Sequence, residues 1–451
     1  MSRLRVFWLG VAGCVVGSAA VLGLLAWSWL PSQQEASIRV ANAFAERTGV
    51  QVDLGSVRWS LWPAPTLVVE DAVTRQANPL VVRNIRLQGS WSSLLHRAPR
   101  VELAELEGVV VSRAALAEFA AARKQPQDGG DPPFAMAAAL HDVQVSFRDL
   151  TWVDQRHTEL AYDGEVDFDT DGLPRMLEVA RAGASPQARM KLDRQGDQRR
   201  WNVGINVAGG SWNGEAELKD EPGAKGGRMR LDAALTPRDI DVAALAATFR
   251  RHSVIAGRAG GETRLEARGE RWVDLLRSLH THTRFVMKPA RLNGFDLGRA
   301  VSGAGVDAKG QTPLDQLTGV VETRNTGRGI EFRYTDLKAK SGVLDATGKV
   351  RLLGGKLDGE LAVDIVDGVV GVPVVLSGTV QQPVITPSAG ALTGAAVGSA
   401  VLPGVGTALG ARLGHQIERL FEDDANAAGK KAPAKAGNMG EPPSAERGPA
   451  R

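Results

Sequence analysis

The sequence predicts a mainly β protein: an N-terminal transmembrane helix, then a long curved antiparallel sheet with a few short helices. Three observations predict it. An uncharged apolar run stands at the start, a two-residue alternation of apolar and polar side chains recurs down the chain, and helical periodicity is confined to short segments with no βαβ order. Composition narrows the class further. Hydrophobic residues make up 43% of 451 positions and the net charge is +3, so the chain can bury a core and is not disordered. Its small excess of basic residues is scattered, which argues against a dedicated nucleic-acid binder. The single cysteine, Cys14, excludes a disulfide framework and a cysteine-ligated metal.

The first element spans Phe7 to Leu30, 24 residues without a charge. At ~1.5 Å per residue this crosses a ~30 Å hydrocarbon core. Phe7 and Trp8 at one end, and Trp27, Trp29 and Leu30 at the other, sit where interfacial anchors belong. Arg3 and Arg5 precede the span, so the positive-inside rule keeps the short N-terminus in the cytoplasm and exports everything after Pro31. A cleaved signal peptide fits less well, because the apolar run is too long and no small-x-small site follows it.

Residues 1–31 are thus a cytoplasmic stub and anchor, and 32–124 form an N-terminal region that opens with a helix from Ser32 to Thr48, ended by Gly49. The period then changes to two. Val50/Val52/Leu54, Val143/Val145/Phe147, Leu160/Tyr162/Val166/Phe168, Trp201/Val203/Ile205/Val207, Met229/Leu231/Ala233/Leu235 and Ile330/Phe332/Tyr334 each read as a strand with one apolar face. Asn202 and Asn206 alternate onto the wet face. Turns are expected at Asp163-Gly164, Asp171-Gly172, Asn213-Gly214, Asn293-Gly294 and Asp358-Gly359. Short helices are expected at Trp91–Leu95, Arg113–Lys124, Ile240–Arg250 and Trp272–Thr281. Residues 125–133 (QPQDGGDPP) read as a linker, 134–388 as the main sheet, and 425–451 as a tail without a packing signal. In the segment 389–424, glycines recur every fourth position and Pro403 divides the run. This pattern leaves open a helical hairpin packed on protein, one attached to a membrane, or a disordered stretch.

Several motifs resemble a known family. VRWSLWPAP at 57–65, carrying Trp59, Leu61, Trp62 and Pro63, follows Thr48-Gly49 and precedes a short Leu94-Leu95 segment. Gly294, Asp296 and Leu297 form a Gly-x-Asp-Leu turn, and the strands at 341–387 follow it. Together with the anchor, this order resembles the AsmA family of Gram-negative envelope proteins over about 180 of the 451 residues, while 129–250 matches only in texture. The resemblance implies an inner-membrane protein, single-pass, with its bulk in the periplasm and a repeating β-groove. It further implies a part in outer-membrane biogenesis and phospholipid traffic, with membrane lipids and other envelope assembly proteins as partners.

The residues supply a physical reason for a groove. A sheet with one apolar face must cover it with a second layer, helices or a ligand. Helices are few here and aromatics are only 5% of the chain, so small and aliphatic side chains leave volume on the inner face. Candidate lipid contacts are Val143, Val145, Phe147, Tyr162, Val203, Ile205, Val207, Leu231, Leu235, Phe332 and Val363. A filled β-sandwich is the alternative, and with it a non-transporting assembly factor that regulates insertion or targeting of outer-membrane proteins. About 20–25 strands at ~4.8 Å spacing would give a groove of roughly 100–120 Å.

Motifs for chemistry are weak. Asp167, Asp169, Asp171, Gly172 and Glu178 match an EF-hand loop, but a strand precedes them and Pro174 breaks the pattern. His280 and His282 share a strand face without a further ligand evident in the sequence. No nucleophile elbow or P-loop occurs. A non-enzymatic protein without cofactor or metal is expected.

Overall fold

The computed structural model describes residues 33–96, 100–122, 141–154, 156–221, 228–270, 272–302, 309–326, 329–365 and 369–388. The expected anchor, the linker at 125–133, the glycine-spaced segment and the tail lie outside them. Among the described residues, no helix is long and apolar enough to cross a membrane.

The described chain is one large, mostly antiparallel, open sheet. Helix α1 (Gln33–Thr48) ends at Gly49, whose φ of 73° allows the chain to reverse at once. The chain returns through β1 (Val52–Asp53) and β2 (Ser56–Ser60), against which α1 packs. Both strands share one edge of β3 (Thr66–Thr74), followed by β4 (Val81–Gly89), helix α2 (Trp91–Leu95) and β5 (Val101–Ser112). Helix α3 (Arg113–Ala122) then begins a crossover, since β6 (Gln144–Val153) pairs parallel to β5. This is a departure from the fully antiparallel expectation, and it makes the sheet continuous across the 125–133 boundary.

From β6 the chain meanders through β7 (Glu159–Phe168), β8 (Pro174–Arg181), β9 (Ala188–Arg194), β10 (Arg200–Val207), β11 (Gly210–Asp220) and β12 (Met229–Arg238). β13 (Ile240–Asp241) leads into α4 (Val242–Thr248), and both β12 and β13 pair with β14 (Ile255–Gly269). After α5 (Trp272–Ser278), β15 (His280–Asn293) pairs with β14 on one side. Helix α6 (Leu297–Ser302) follows, then β16 (Gln311–Leu314) and β17 (Gln316–Thr326), which share the other side of β15. β18 (Gly329–Lys340), β19 (Leu344–Leu353), β20 (Lys356–Ile365), β21 (Val369–Gly378) and β22 (Pro383–Pro387) complete the meander. Among the described residues no pairing joins β22 to β1 or β2, so both edges stay open.

Three of the five expected turns lie inside strands instead: Gly164 in β7, Gly214 in β11 and Gly359 in β20. Close approach is the reason. A Cβ on Gly164 would come within 2.3 Å of Phe147 Cζ, and one on Gly214 within 1.9 Å of the Ala234 carbonyl oxygen. Asp171-Gly172 and Asn293-Gly294 are turns as expected.

The apolar core is uneven. Its largest cluster joins Ala36, Val40 and Ala43 of α1 and Ala115, Leu116 and Phe119 of α3 to the apolar faces of β2 to β8. The Phe44 and Phe119 rings meet at 6.2 Å. Further along, separate clusters centre on Trp201 and Leu265, on Val207 and Ile240, and on Met287 and Val363.

Candidate functional site

Where the covering helices stop, the apolar face is left with space against it. A cavity of about 1120 Å³ is walled by strands from β6 to β21 and by one side of α3. Val203, Ile205 and Val207 line it from β10, Leu231 and Leu235 from β12, and Phe332 and Tyr334 from β18. The alternation of each strand explains this, because residues two apart share a face.

Two features close the space. Asp241 caps α4 by accepting from the Ala244 N–H at 2.9 Å, which fixes the helix so that Val242, Leu245 and the following Phe249 face the cavity. Across from it the Arg156 guanidinium, in the β6–β7 turn, donates to the Gly354 carbonyl in the β19–β20 turn. These residues are 198 positions apart, so the sheet curls far enough for its two halves to touch.

The interior is poorly solvated. Burial pushes the Tyr334 phenol up to about 12, although the residue as a whole is only half-buried. Both facts hold for a group inside a cavity: space surrounds it, but bulk water does not. Its ring meets Phe285 edge-on at 6.4 Å. The chain has two tyrosines, Tyr162 and Tyr334, and both line this cavity.

Charge is confined to a few positions. Arg113, Arg156, Arg181, Arg189 and Arg251 border the cavity together with Asp154, and Arg277 of α5 borders it as well. Asp154 accepts from Arg251 and from the Arg156 and Thr158 N–H groups at 2.7 and 2.9 Å. Arg181 donates from Nη1 to Ala161 O at 2.9 Å and to Ala182 O, and its guanidinium lies 5.7 Å from the Tyr162 ring centre. Its Nε is buried without a partner among the described residues.

Of the eleven candidate contacts, Tyr162, Val203, Ile205, Val207, Leu231, Leu235 and Phe332 border the cavity. Val143, Val145 and Phe147 do not; they are packed solid in the N-terminal core, and Val363 is packed in the C-terminal one. Asn206, expected on the wet face, also borders the cavity. Trp201 and Tyr334 belong to alternations visible in the sequence and were not selected from them. The arginines carry no such signal, being scattered from 113 to 251.

The remaining sequence motifs resolve as follows. Leu297 is 1% exposed and borders the cavity, Asp296 accepts from the Arg299 N–H at 3.1 Å to start α6, and Gly294 turns with φ 94°. Helix α6 stands where the sequence predicts only a turn. Trp59 packs against the N-terminal core, whereas Leu61 is 42% and Trp62 81% exposed. The Trp91 indole donates to the Pro63 carbonyl at 3.1 Å, and nearby Leu95 is 79% exposed.

Asp169 and Asp171 of the EF-hand-like loop lie in and beside the β7–β8 turn, where the buried Arg194 pairs with both, at 2.6 Å to Asp171. Burial raises the Asp171 pKa, but hydrogen bonds from Arg194 and from the Leu173 N–H outweigh it and leave the carboxyl below its usual range. An arginine therefore stands where a cation would. His282 faces Glu322 at 3.4 Å and His280 faces Glu266 at 3.9 Å, carboxylates the sequence did not place there. Among the described residues no group of three or more such side chains could hold a metal ion.

No family model, curated protein or solved structure matches this chain.

Proposed function

We propose that the protein is a membrane-anchored carrier that holds acyl chains of phospholipid along its apolar sheet face. The observation that carries this reading is the cavity: about 1120 Å³, apolar over most of its wall, and above the ~300–1,000 Å³ of ordinary small-molecule pockets. Leaving this surface against water would be costly, at about 25 cal/mol per Å² of apolar area. A lipid chain that leaves a bilayer core for this wall exchanges one apolar surrounding for another. Transfer is then nearly free of hydrophobic cost and can run in either direction without chemistry. The same environment suits no reaction, and we read the protein as a non-enzyme.

The arrangement of the first elements supports this reading. Because α1 turns back at Gly49 onto β2, its N-terminus lies toward the end where β2 stops and Leu61 and Trp62 begin. α2, with Trp91 and Leu95, connects β4 to β5 at that same end. The apolar span Phe7–Leu30 enters α1 there, so these exposed side chains stand where an interfacial belt belongs. In the Gram-negative envelope that the motifs suggest, this is an inner-membrane anchor with the sheet in the periplasm.

Twenty-two strands occupy nineteen rungs, since three rungs are shared by two strands each. At ~4.8 Å spacing the sheet is roughly 90 Å along its hydrogen bonds, before curling. That is shorter than the sequence estimate, and it favours a partner or a shuttling step. The proposal is tested by extracting the full chain in a mild neutral detergent and identifying bound lipid by mass spectrometry. Copurified phospholipid is expected; a chain free of lipid under all mild conditions overturns the reading.

A further inference from the structure

We propose that the ligand is an amphiphile with an anionic head, and that the head is held by the arginines at the mouth of the cavity. This rests on the acyl-chain reading above. Arg113 follows the last residue of β5, Ser112, which pairs with Val153 of β6 just before Asp154. Arg181 closes β8 opposite Tyr162, Arg189 pairs beside it on Ala180, and Arg251 arrives from the α4–β14 loop to bind Asp154. The ends of β5 and β8, the β6–β7 turn and the α4–β14 loop thus bring Arg113, Arg181, Arg156 and Arg251 to one cavity, whereas the Arg189 guanidinium turns to Glu178 on the other face of the sheet.

The rim is not neutral. Asp154 is the one carboxylate that borders the cavity among the described residues, and it is engaged by Arg251 and two backbone N–H groups. Arg189 has Glu178 at 3.2 Å. For Arg156 and Arg181 no carboxylate lies within ion-pair distance among the described residues; both instead donate to backbone carbonyls. Arg181 is the more demanding of the two. Burial lowers its pKa, the charge of the Tyr162 phenol oxygen partly offsets this, and the neighbouring Arg250 charge lowers it further. A guanidinium with a buried, unpartnered Nε and a like charge nearby is satisfied by an anion. Phosphate or carboxylate oxygens match its planar fork, whereas a zwitterionic head would also set its quaternary ammonium against like charge. The apolar wall begins directly below, with Tyr162, Val179 and Val207, so head and chains have separate places on one continuous surface.

The test uses the full chain in neutral detergent, equilibrated with vesicles of equimolar phosphatidylglycerol and phosphatidylcholine, with bound lipid counted by mass spectrometry. Phosphatidylglycerol is expected on the order of tenfold enriched, the effect of one charge-assisted hydrogen bond. Arg181→Gln and, separately, the exposed Arg156→Gln should remove most of the enrichment while total bound lipid stays. Arg200→Gln, far from the rim, should leave it intact. Equal amounts of the two lipids, or enrichment unchanged in both rim variants, overturns the inference while keeping the acyl-chain reading. Inorganic phosphate that displaces phosphatidylglycerol at equal concentration shows a free-anion site and overturns it as well. Absence of both lipids refutes the acyl-chain reading itself, and this one with it.

Discussion

The N-terminal third and the remainder of the sheet are built from the same alternating strands, yet one is a packed core and the other a cavity wall. On β6, Val145 is fully buried and Phe147 is 1% exposed, closed in by neighbours that trace back to α1 and α3. On β10 and β18, Ile205 and Phe332 occupy equivalent inward positions and face open space. The strands do not differ in kind; the cover does. α1 and α3, of sixteen and ten residues, span the first region, whereas the second carries only α4, α5 and α6, of seven, seven and six residues, among the described residues. A sheet face with too little helix to cover it must stay wet, collapse or hold a ligand.

That contrast yields a ranked set of consequences. Phe147→Ala removes a ring that fills the space above Gly164, and should cost about 3–5 kcal/mol in chemical denaturation. Phe332→Ala, at the cavity, should cost only about 1 kcal/mol. Equal losses at the two sites would mean that the cavity is packed like the core.

Next is Glu331, buried on the opposite side of β18 from Phe332 and closed in by charge rather than by a helix. The hydrogen bond from Arg351 holds its carboxyl below the usual range, against the opposing effect of burial and with help from the Arg351, Arg333 and Arg324 charges. A depressed pKa contributes stability that is complete above the unfolded value, ~4.3, and is lost as pH falls through the folded one. Glu331→Gln should therefore cost about 1–3 kcal/mol at neutral pH and flatten the acid limb of the stability curve. An unchanged acid limb would exclude this pair as its source.

Tyr334 gives the opposite sign. Its folded pKa of about 12 lies above the ordinary value of ~10, so its contribution is full below pH ~10 and is lost as pH rises toward 12. Tyr334→Phe should remove that alkaline component. In absorbance titration, Tyr334 should ionise late and shift further when lipid fills the cavity.

The smallest effect on stability is expected at Trp62. Replacing this exposed side chain by alanine should change the unfolding free energy by less than ~0.5 kcal/mol. In reconstituted vesicles, however, Trp62→Ala should lower the fraction of tryptophan emission quenched by brominated acyl chains. An unchanged fraction would place the β2–β3 turn away from the bilayer.

Much of the architecture was legible because period-two alternation records which side of a strand is apolar. Strands at 143–147, 160–168, 201–207, 229–235 and 330–334 all formed, and the helix ending at Thr48 did so within a residue of its expected start. What alternation does not record is what lies above that side. Val145 and Val203 read identically, and only the tertiary placement of α1 and α3 separates them. Asp163-Gly164 and Asn213-Gly214 carried turn chemistry, yet those glycines serve close strand contact, a requirement set by partners far away in sequence. The arginine rim was invisible for the same reason: Arg113, Arg181 and Arg251 border one cavity only through the tertiary placement of β5, β8 and the α4–β14 loop.

The central claim is that acyl chains lie on the inner face of β10 and β18. A photoactivatable residue at Ile205 or at Phe332, each bordering the cavity, tests it most directly in the full chain in native membranes. The same residue at Asn202, exposed and outside the cavity, serves as the comparison. The account predicts lipid adducts at Ile205 and Phe332 and none at Asn202. Equal adducts at all three positions, or none at any, would contradict it.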